Sequence, residues 1–224
     1  MSSYFLFILP PMLLAMYAQA TLKTRYAKAR KVPSSVSGAA AARAILDSAG
    51  LQSVMIERIP GELTDHYDPR TKVLRLSENS YNGRNLAAIG VAAHEAGHAI
   101  QDATRYKLMV VRQIAVPLAS FGGNSAMVLI AIGLAINVMQ LAMLGVLGFG
   151  MVALFQIINL PVEYNASARA KKQLAELGFL TADQKPIVRS MLGAAALTYV
   201  AGTLSAISQF LYFFLAVMGR SGRR

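Results

Sequence analysis

Polar and apolar positions divide this chain into long blocks rather than a fine alternation. No charged side chain occurs from Met1 to Leu22, from Gln113 to Val162, or from Ser190 to Gly219. A helix needs about 20 apolar residues to cross the hydrocarbon of a bilayer. The pattern therefore predicts an N-terminal transmembrane anchor over 1–22, with Tyr4 to Ala20 as its apolar stretch and a kink at Pro10-Pro11. It predicts a transmembrane hairpin over 113–160, turning near Asn137 or Gln140, with irregular backbone at Pro117 and Gly122-Gly123-Asn124. Asn159-Leu160-Pro161 reads as the start of a cytoplasmic helix over 161–189, with proline in its first turn and a stop at Gly178. A transmembrane or re-entrant segment, apolar from Ala194 to Met218, and a basic tail fill 190–224.

The stretch 23–112 has a different texture. Val32-Pro-Ser-Ser reads as a linker, and Ala39 to Ala49 as a helix stopped by Gly50. Ser53 to Ile59 alternates like a strand and ends at Pro60-Gly61. Leu63 to Ser77 reads as a β-hairpin around Asp68-Pro69. Asn82 or Asn85 can cap a helix running from Leu86 to about Ala103. On its wheel Ile89, Ala93, Ala96 and Ile100 share one side, and His94, His98 and Gln101 the other. The expected fold class is α+β and mostly α: a small region with a β-hairpin and one key helix, fused to about four transmembrane helices.

Composition narrows the reading. The chain is 55% hydrophobic and 15% charged, with a formal net charge of +11. That charge does not imply a nucleic-acid partner, because the basic residues gather beside the apolar runs, where they hold span ends in the cytoplasm. Lys23, Arg25, Lys28, Arg30 and Lys31 follow the first apolar stretch and no basic residue precedes it. This is the polarity of an anchor with its N-terminus outside, not of a cleaved signal. Four crossings then place the basic tail outside, against the same rule. Either the last segment is re-entrant or the first anchor overrides the tail. The chain has no cysteine, so disulfides and thiolate metal ligands are excluded.

The chemistry lies in His94-Glu95-Ala96-Gly97-His98. Two histidines four residues apart share a helix face, where two zinc ligands must sit, and the glutamate between them is placed to take a proton from water. Burying the three without a metal or partner would be costly. A catalytic zinc needs a third protein ligand and an open position. No histidine follows His98; His66, on the hairpin, remains a possible third ligand, and the later acids are Asp102, Glu163, Glu176 and Asp183. Asp102 suits a supporting or helix-end role. Two crossings return the chain to the side it left, which makes Glu163 the best-placed ligand; its bland alternative is stabilisation of a helix N-terminus. His66, Tyr67, Tyr164, Asn165 and Arg169 are candidates for an oxyanion-stabilising or supporting role, and each also reads as structural. The strand Lys72-Val73-Leu74-Arg75-Leu76 could offer an edge to an extended peptide or simply pack on the helix. Two other readings are an intramembrane protease of the site-2 type, disfavoured by the polar flanks of the motif helix, and a non-catalytic membrane adaptor with a structural zinc, disfavoured by Glu95.

Leu63-Thr-Asp-His-Tyr-Asp-Pro, Leu74-Arg-Leu-Ser, His94-Glu-Ala-Gly-His-Ala-Ile-Gln and Leu160-Pro-Val-Glu-Tyr-Asn-Ala-Ser, together with the N-terminal anchor, resemble the YugP-like membrane zinc metallopeptidases over nearly the whole chain. These are gluzincins related in plan to the HtpX and CAAX-processing proteases. The resemblance implies Zn2+ held by His94, His98 and Glu163, and Glu95 as catalytic acid/base. It implies a peptide or protein substrate, membrane proteins among the candidates, and a catalytic site on the cytoplasmic side of a prokaryotic plasma membrane. Two positions depart from the HtpX-type pattern: Ser167 stands where an Asp is expected, and Asn165 where another Asp is expected.

Overall fold

A computed structural model describes residues 2–221; the last residues of the basic tail, 222–224, lie outside them. The chain is mostly helical, with one small sheet. In order it forms α1 (Ser2–Arg30), α2 (Gly38–Ser48), β1 (Met55–Ile59), β2 (His66–Asp68), β3 (Val73–Ser77), α3 (Glu78–Asn82), α4 (Leu86–Ala103), α5 (Lys107–Ala135), α6 (Met139–Glu176) and α7 (Lys185–Ser221). Four helices are long and apolar enough to cross a membrane: Tyr4–Arg30, Lys107–Ala135, Met139–Glu176 and Lys185–Arg220. The chain divides into two compact units. One comprises Met1–Ala18, Val110–Pro161 and Thr198–Arg224; the other comprises Gln19–Met109 and Val162–Leu197.

In the first unit the spans pack through small residues and aromatic rings. A Cβ on Gly122 would lie 3.0 Å from Gly148 O, and one on Gly148 would lie 2.8 Å from Gly122 O. Such contacts let α5 and α6 approach backbone to backbone, which is how helices associate where lipid removes the hydrophobic drive. The Phe149 and Phe213 rings stack at 5.1 Å, and Thr203 Oγ1 donates to Gln156 O. The hairpin turns at Asn137, which takes φ 60, a left-handed conformation that asparagine tolerates better than most residues.

Several expected irregularities are absent. Pro117 and Gly122-Gly123 lie inside an unbroken α5. Pro161 lies inside α6, 38 residues long, instead of opening a new helix. Proline lacks one N–H and strains one turn, a local loss that does not interrupt either helix. Helix α1 likewise runs through Pro10-Pro11 and continues ten residues beyond Ala20. Helix α7 has no break over 37 residues, about 55 Å at 1.5 Å per residue. A re-entrant segment must turn back within the bilayer, and this helix has no turn in which to do so.

In the second unit a core of Ile45, Leu46, Leu74, Leu76, Leu86, Ile89 and Leu174 is fully buried. Ser37 caps α2 with its side chain accepting from the Ala40 N–H. Gly50 takes φ 73 just after it. The sheet order is β1-β3-β2, with β1 parallel and β2 antiparallel to β3. The expected hairpin is therefore present, but Lys72–Leu76 is not an edge. Val73 to Leu76 pair with β1 on one side, and Val73 to Arg75 with β2 on the other. Strand β3 has no free row of backbone groups for a peptide; the sheet edges are β1 and β2.

Candidate metal centre

Helix α4 begins at Asn85, whose Oδ1 accepts the Ala88 N–H at 3.0 Å. Its apolar face, with Ile89, Ala93, Ala96 and Ile100, joins the core. The opposite face is not open to solvent as a simple amphipathic helix would have it: His98 and Gln101 are also buried, against the segment of α6 that carries Glu163. Close approach is possible because residue 97 has no side chain. A Cβ there would lie 2.7 Å from Ala166 O.

Three side chains that could hold a metal ion meet at this crossing. One nitrogen each from His94 and His98 and one Glu163 carboxylate oxygen all lie within 4.8 Å of one another. Glu163 Oε2 is 3.2 Å from His94 Nε2 and 3.4 Å from His98 Nε2. Zinc bonds of 2.0–2.2 Å at tetrahedral angles set ligand atoms about 3.4 Å apart, so these separations suit one ion.

The far side of each imidazole is also engaged. His98 Nδ1 faces Gln101 Oε1 at 2.9 Å. Gln101 Nε2 donates to Val162 O at 2.8 Å and to Asn165 Oδ1 at 3.0 Å. The Asn165 oxygen also accepts from Arg169 Nε at 2.8 Å. A backbone carbonyl is an unambiguous acceptor, so the Gln101 amide is fixed with its NH2 toward Val162 and its oxygen toward His98. His98 therefore carries its proton on Nδ1. Its Nε2 then faces a carboxylate oxygen at 3.4 Å, and a shared metal ion or a second proton on the ring would reconcile the two. His94 Nδ1 is 3.1 Å from Ser167 Oγ, a hydroxyl that can donate or accept. Protonating both imidazoles would put two positive rings 4.8 Å apart, whereas one divalent ion satisfies all three groups. Such outer hydrogen bonds orient ligands and raise their basicity.

Glu95 is half-buried beside the trio. Its Oε2 accepts the Tyr67 N–H at 3.1 Å, so the outer edge of β2 faces this carboxylate. Burial pushes the Glu95 carboxyl up to about 7, the His94 ring acts in the opposite direction, and the Glu163 charge adds to the rise. The group is thus poised to exchange a proton near neutral pH.

The remaining candidates fall into place. Tyr67 Oη donates to Asp102 Oδ2 at 2.8 Å, and Lys72 pairs with the same oxygen. Burial and the Asp102 hydrogen bond hold the Tyr67 phenol well above its ordinary range. Asp102 ties α4 to the hairpin and is not grouped with the ligands. His66 is exposed, with Nδ1 2.8 Å from Thr64 O. Tyr164 is 50% exposed. Asn165 and Arg169 stand behind Gln101. The residues absent from the sequence reading are Gln101, as a partner of His98, and Ser167, as a partner of His94. Position 101, three residues after His98 on the histidine face, was the available signal for the first.

Residues 4–218 match a protein family described as "Putative neutral zinc metallopeptidase". The chain belongs to this family. Zinc is accordingly the metal that the two imidazoles and the carboxylate suit, and the chain is a metallopeptidase of the membrane. Among curated relatives of this zinc metallopeptidase, the "Putative membrane protease YugP" of Bacillus subtilis (strain 168) is 42% identical over 204 residues, covering 90% of this chain and 91% of the Bacillus protein. No solved structure gives a significant match.

Proposed function

We propose that this metallopeptidase is a membrane-anchored endopeptidase of gluzincin-like plan that hydrolyses peptide bonds at the cytoplasmic membrane surface, with His94, His98 and Glu163 as zinc ligands and Glu95 as general base and then acid. The observation that carries the reading is Glu95 itself. A structural metal site has no use for a second, unligated carboxylate, and this one is half-buried, beside the proposed ligands, with a carboxyl near 7. Zinc supplies Lewis acidity, which makes water a better nucleophile at neutral pH and polarises a scissile carbonyl. Glu95 takes the proton released by the attacking water and returns it to the leaving amine. Tyr67 N–H holds the carboxylate in position between turnovers. The outer edge of β2, at Tyr67, takes over the role first expected of Lys72–Leu76: an extended substrate pairs there through main-chain hydrogen bonds, with little demand on its sequence.

The cytoplasmic side follows from charge. With α1 entering from outside, one side receives Lys23 to Lys31, Arg105 to Arg112 and Arg169 to Arg189, thirteen basic residues counting the endpoints. The other receives none before Arg220. Positive charge near span ends marks the cytoplasm, and the tail is outweighed. The fitting substrates are membrane proteins and unfolded segments near the bilayer.

Glu95→Gln is the deciding experiment. Zinc content of the variant should match that of wild type, while cleavage of an unfolded reporter falls by about 10²–10⁴-fold. Equal cleavage by the two proteins would remove Glu95 from the mechanism and leave the metal a structural part.

A further inference from the structure

A basic cavity lies away from the candidate metal centre, between the end of α6 and the start of α7. Lys171, Lys172, Lys185 and Arg189 converge with Ala175 and Leu180 around an open cavity of about 310 Å3. No carboxylate lines it. Among the described residues, the acid paired with any of these four cations is Glu176, 3.7 Å from Lys172, and both of those side chains are more than half exposed. An ion pair so hydrated cancels little of the local field. Asp183, in the intervening linker, is engaged by the Thr181 hydroxyl.

Basic residues at the cytoplasmic margin of a membrane ordinarily spread into solvent. Here four of them, two from each helix, face one cavity with an apolar wall. Arg189 is the last charged residue before the uncharged run Ser190–Gly219, so one rim of the cavity stands where α7 turns apolar. One helical turn further along, Gly193 is exposed and a Cβ there would meet nothing within 4 Å. That leaves one open, side-chain-free position on α7 a turn beyond Arg189. A second cavity, lined by Arg25, Lys28, Pro186, Ile187 and Ser190, flanks the first turns of α7 as well, and it too is basic.

We propose that the Lys171–Lys172–Lys185–Arg189 cavity binds the phosphate of an anionic phospholipid, with an acyl chain laid over Gly193. The cations supply hydrogen bonds and charge to the phosphate, Ala175 and Leu180 pack against the glycerol backbone, and the apolar run of α7 receives the chain. A free phosphate would use the same cations and gain nothing from Gly193 or the apolar wall. Basic pockets between membrane helices select anionic headgroups in this manner.

The test uses the full-length, zinc-loaded protein in detergent, titrated with phosphatidylglycerol, with phosphatidylcholine and with inorganic phosphate, and read by native mass spectrometry. Wild type should retain phosphatidylglycerol in preference to phosphatidylcholine. Lys171→Gln with Arg189→Gln should lower that preference roughly tenfold to thirtyfold, since each basic residue at a membrane surface contributes about a fivefold effect. Arg70→Gln with Arg84→Gln removes the same charge from exposed positions elsewhere and should change it less than twofold. Unchanged zinc content in both variants establishes that they are folded; if the first pair loses zinc, Lys185→Gln with Lys172→Gln takes its place. An equal fall in both pairs would overturn the proposal in favour of general surface charge. Saturable phosphate binding with no preference between the lipids would overturn the lipid assignment.

Discussion

The residue that most repays attention at the metal centre is neutral. Gln101 is fully buried, and its fixed amide decides which nitrogen of His98 carries the proton. Gln101→Leu should weaken zinc binding about 10- to 100-fold, the usual cost of losing an outer partner of a metal-bound histidine, in a competition titration with a chromogenic chelator. Glu95 makes a different prediction, about pH. Its folded carboxyl is raised from 4.5 to about 7 by burial. The folded, metal-free protein therefore binds more protons than the unfolded chain between those values. This contribution to stability is fully present below pH 4.5 and is lost as pH rises through about 7. Melts of the chelated protein should show wild type losing stability from pH 5 to 8 relative to Glu95→Gln, by no more than ~3 kcal/mol. Parallel curves would show that the buried carboxyl does not titrate in that range. The pair of histidines was legible from spacing alone, because four residues on a helix is local geometry. Glu163 was reached by eliminating other acids. Gln101 was seen on the histidine face but not assigned, because its partners Val162 and Asn165 lie 61 and 64 residues away and an amide carries no spacing signature.

At the scale of elements, the approach of α4 to α6 is set by one missing methyl group. Gly97→Ala would place a Cβ 2.7 Å from the Ala166 carbonyl oxygen, a backbone atom that cannot swing aside. The helices must part, and Glu163 then leaves the histidines. Gly90→Ala on the same helix meets the Met191 methyl group at 2.6 Å, the far end of a flexible side chain that can turn away. Zinc analysis of purified variants should find the metal lost from Gly97→Ala and kept in Gly90→Ala; equal retention would mean that α4 and α6 have slack. Helix α4 was readable to its ends, since a cap at Asn85 and a single apolar period define it. The sheet was not. Residues 63–77 contain every signal of their own hairpin, whereas parallel pairing of β1 with β3 brings Met55 opposite Val73 across the intervening strand. Nothing in a strand's own alternation says whether it is central, so the edge reading of Lys72–Leu76 fails while the alternative, that the hairpin simply packs, remains.

For the whole molecule, block patterning of charge specified four spans, and the structure extends each helix beyond its apolar run. Proline misled most here. Pro10-Pro11 was read as a kink, Pro117 as irregular backbone and Pro161 as the first turn of a new helix, and all four lie inside helices, because a long helix absorbs one lost hydrogen bond. The absence of cysteine makes the topology directly measurable, as any introduced cysteine is unique. In right-side-out and inverted vesicles, Arg70→Cys and Gln140→Cys should react with an impermeant maleimide from opposite faces. Reaction from the same face would contradict the crossing of α5 and α6.

The order in which the ligands are made has a consequence for the living cell. His98 leaves the ribosome 65 residues before Glu163, an interval of ~3–13 s at ordinary rates of synthesis. All of α5, and α6 as far as Glu163, are made in that interval. An unfinished chain stalled short of the bilayer carries two imidazoles and a base but no third ligand. With Glu163 as the proposed third ligand, its place after the two long apolar helices would work as a safety catch: the site could not be completed before both had been made.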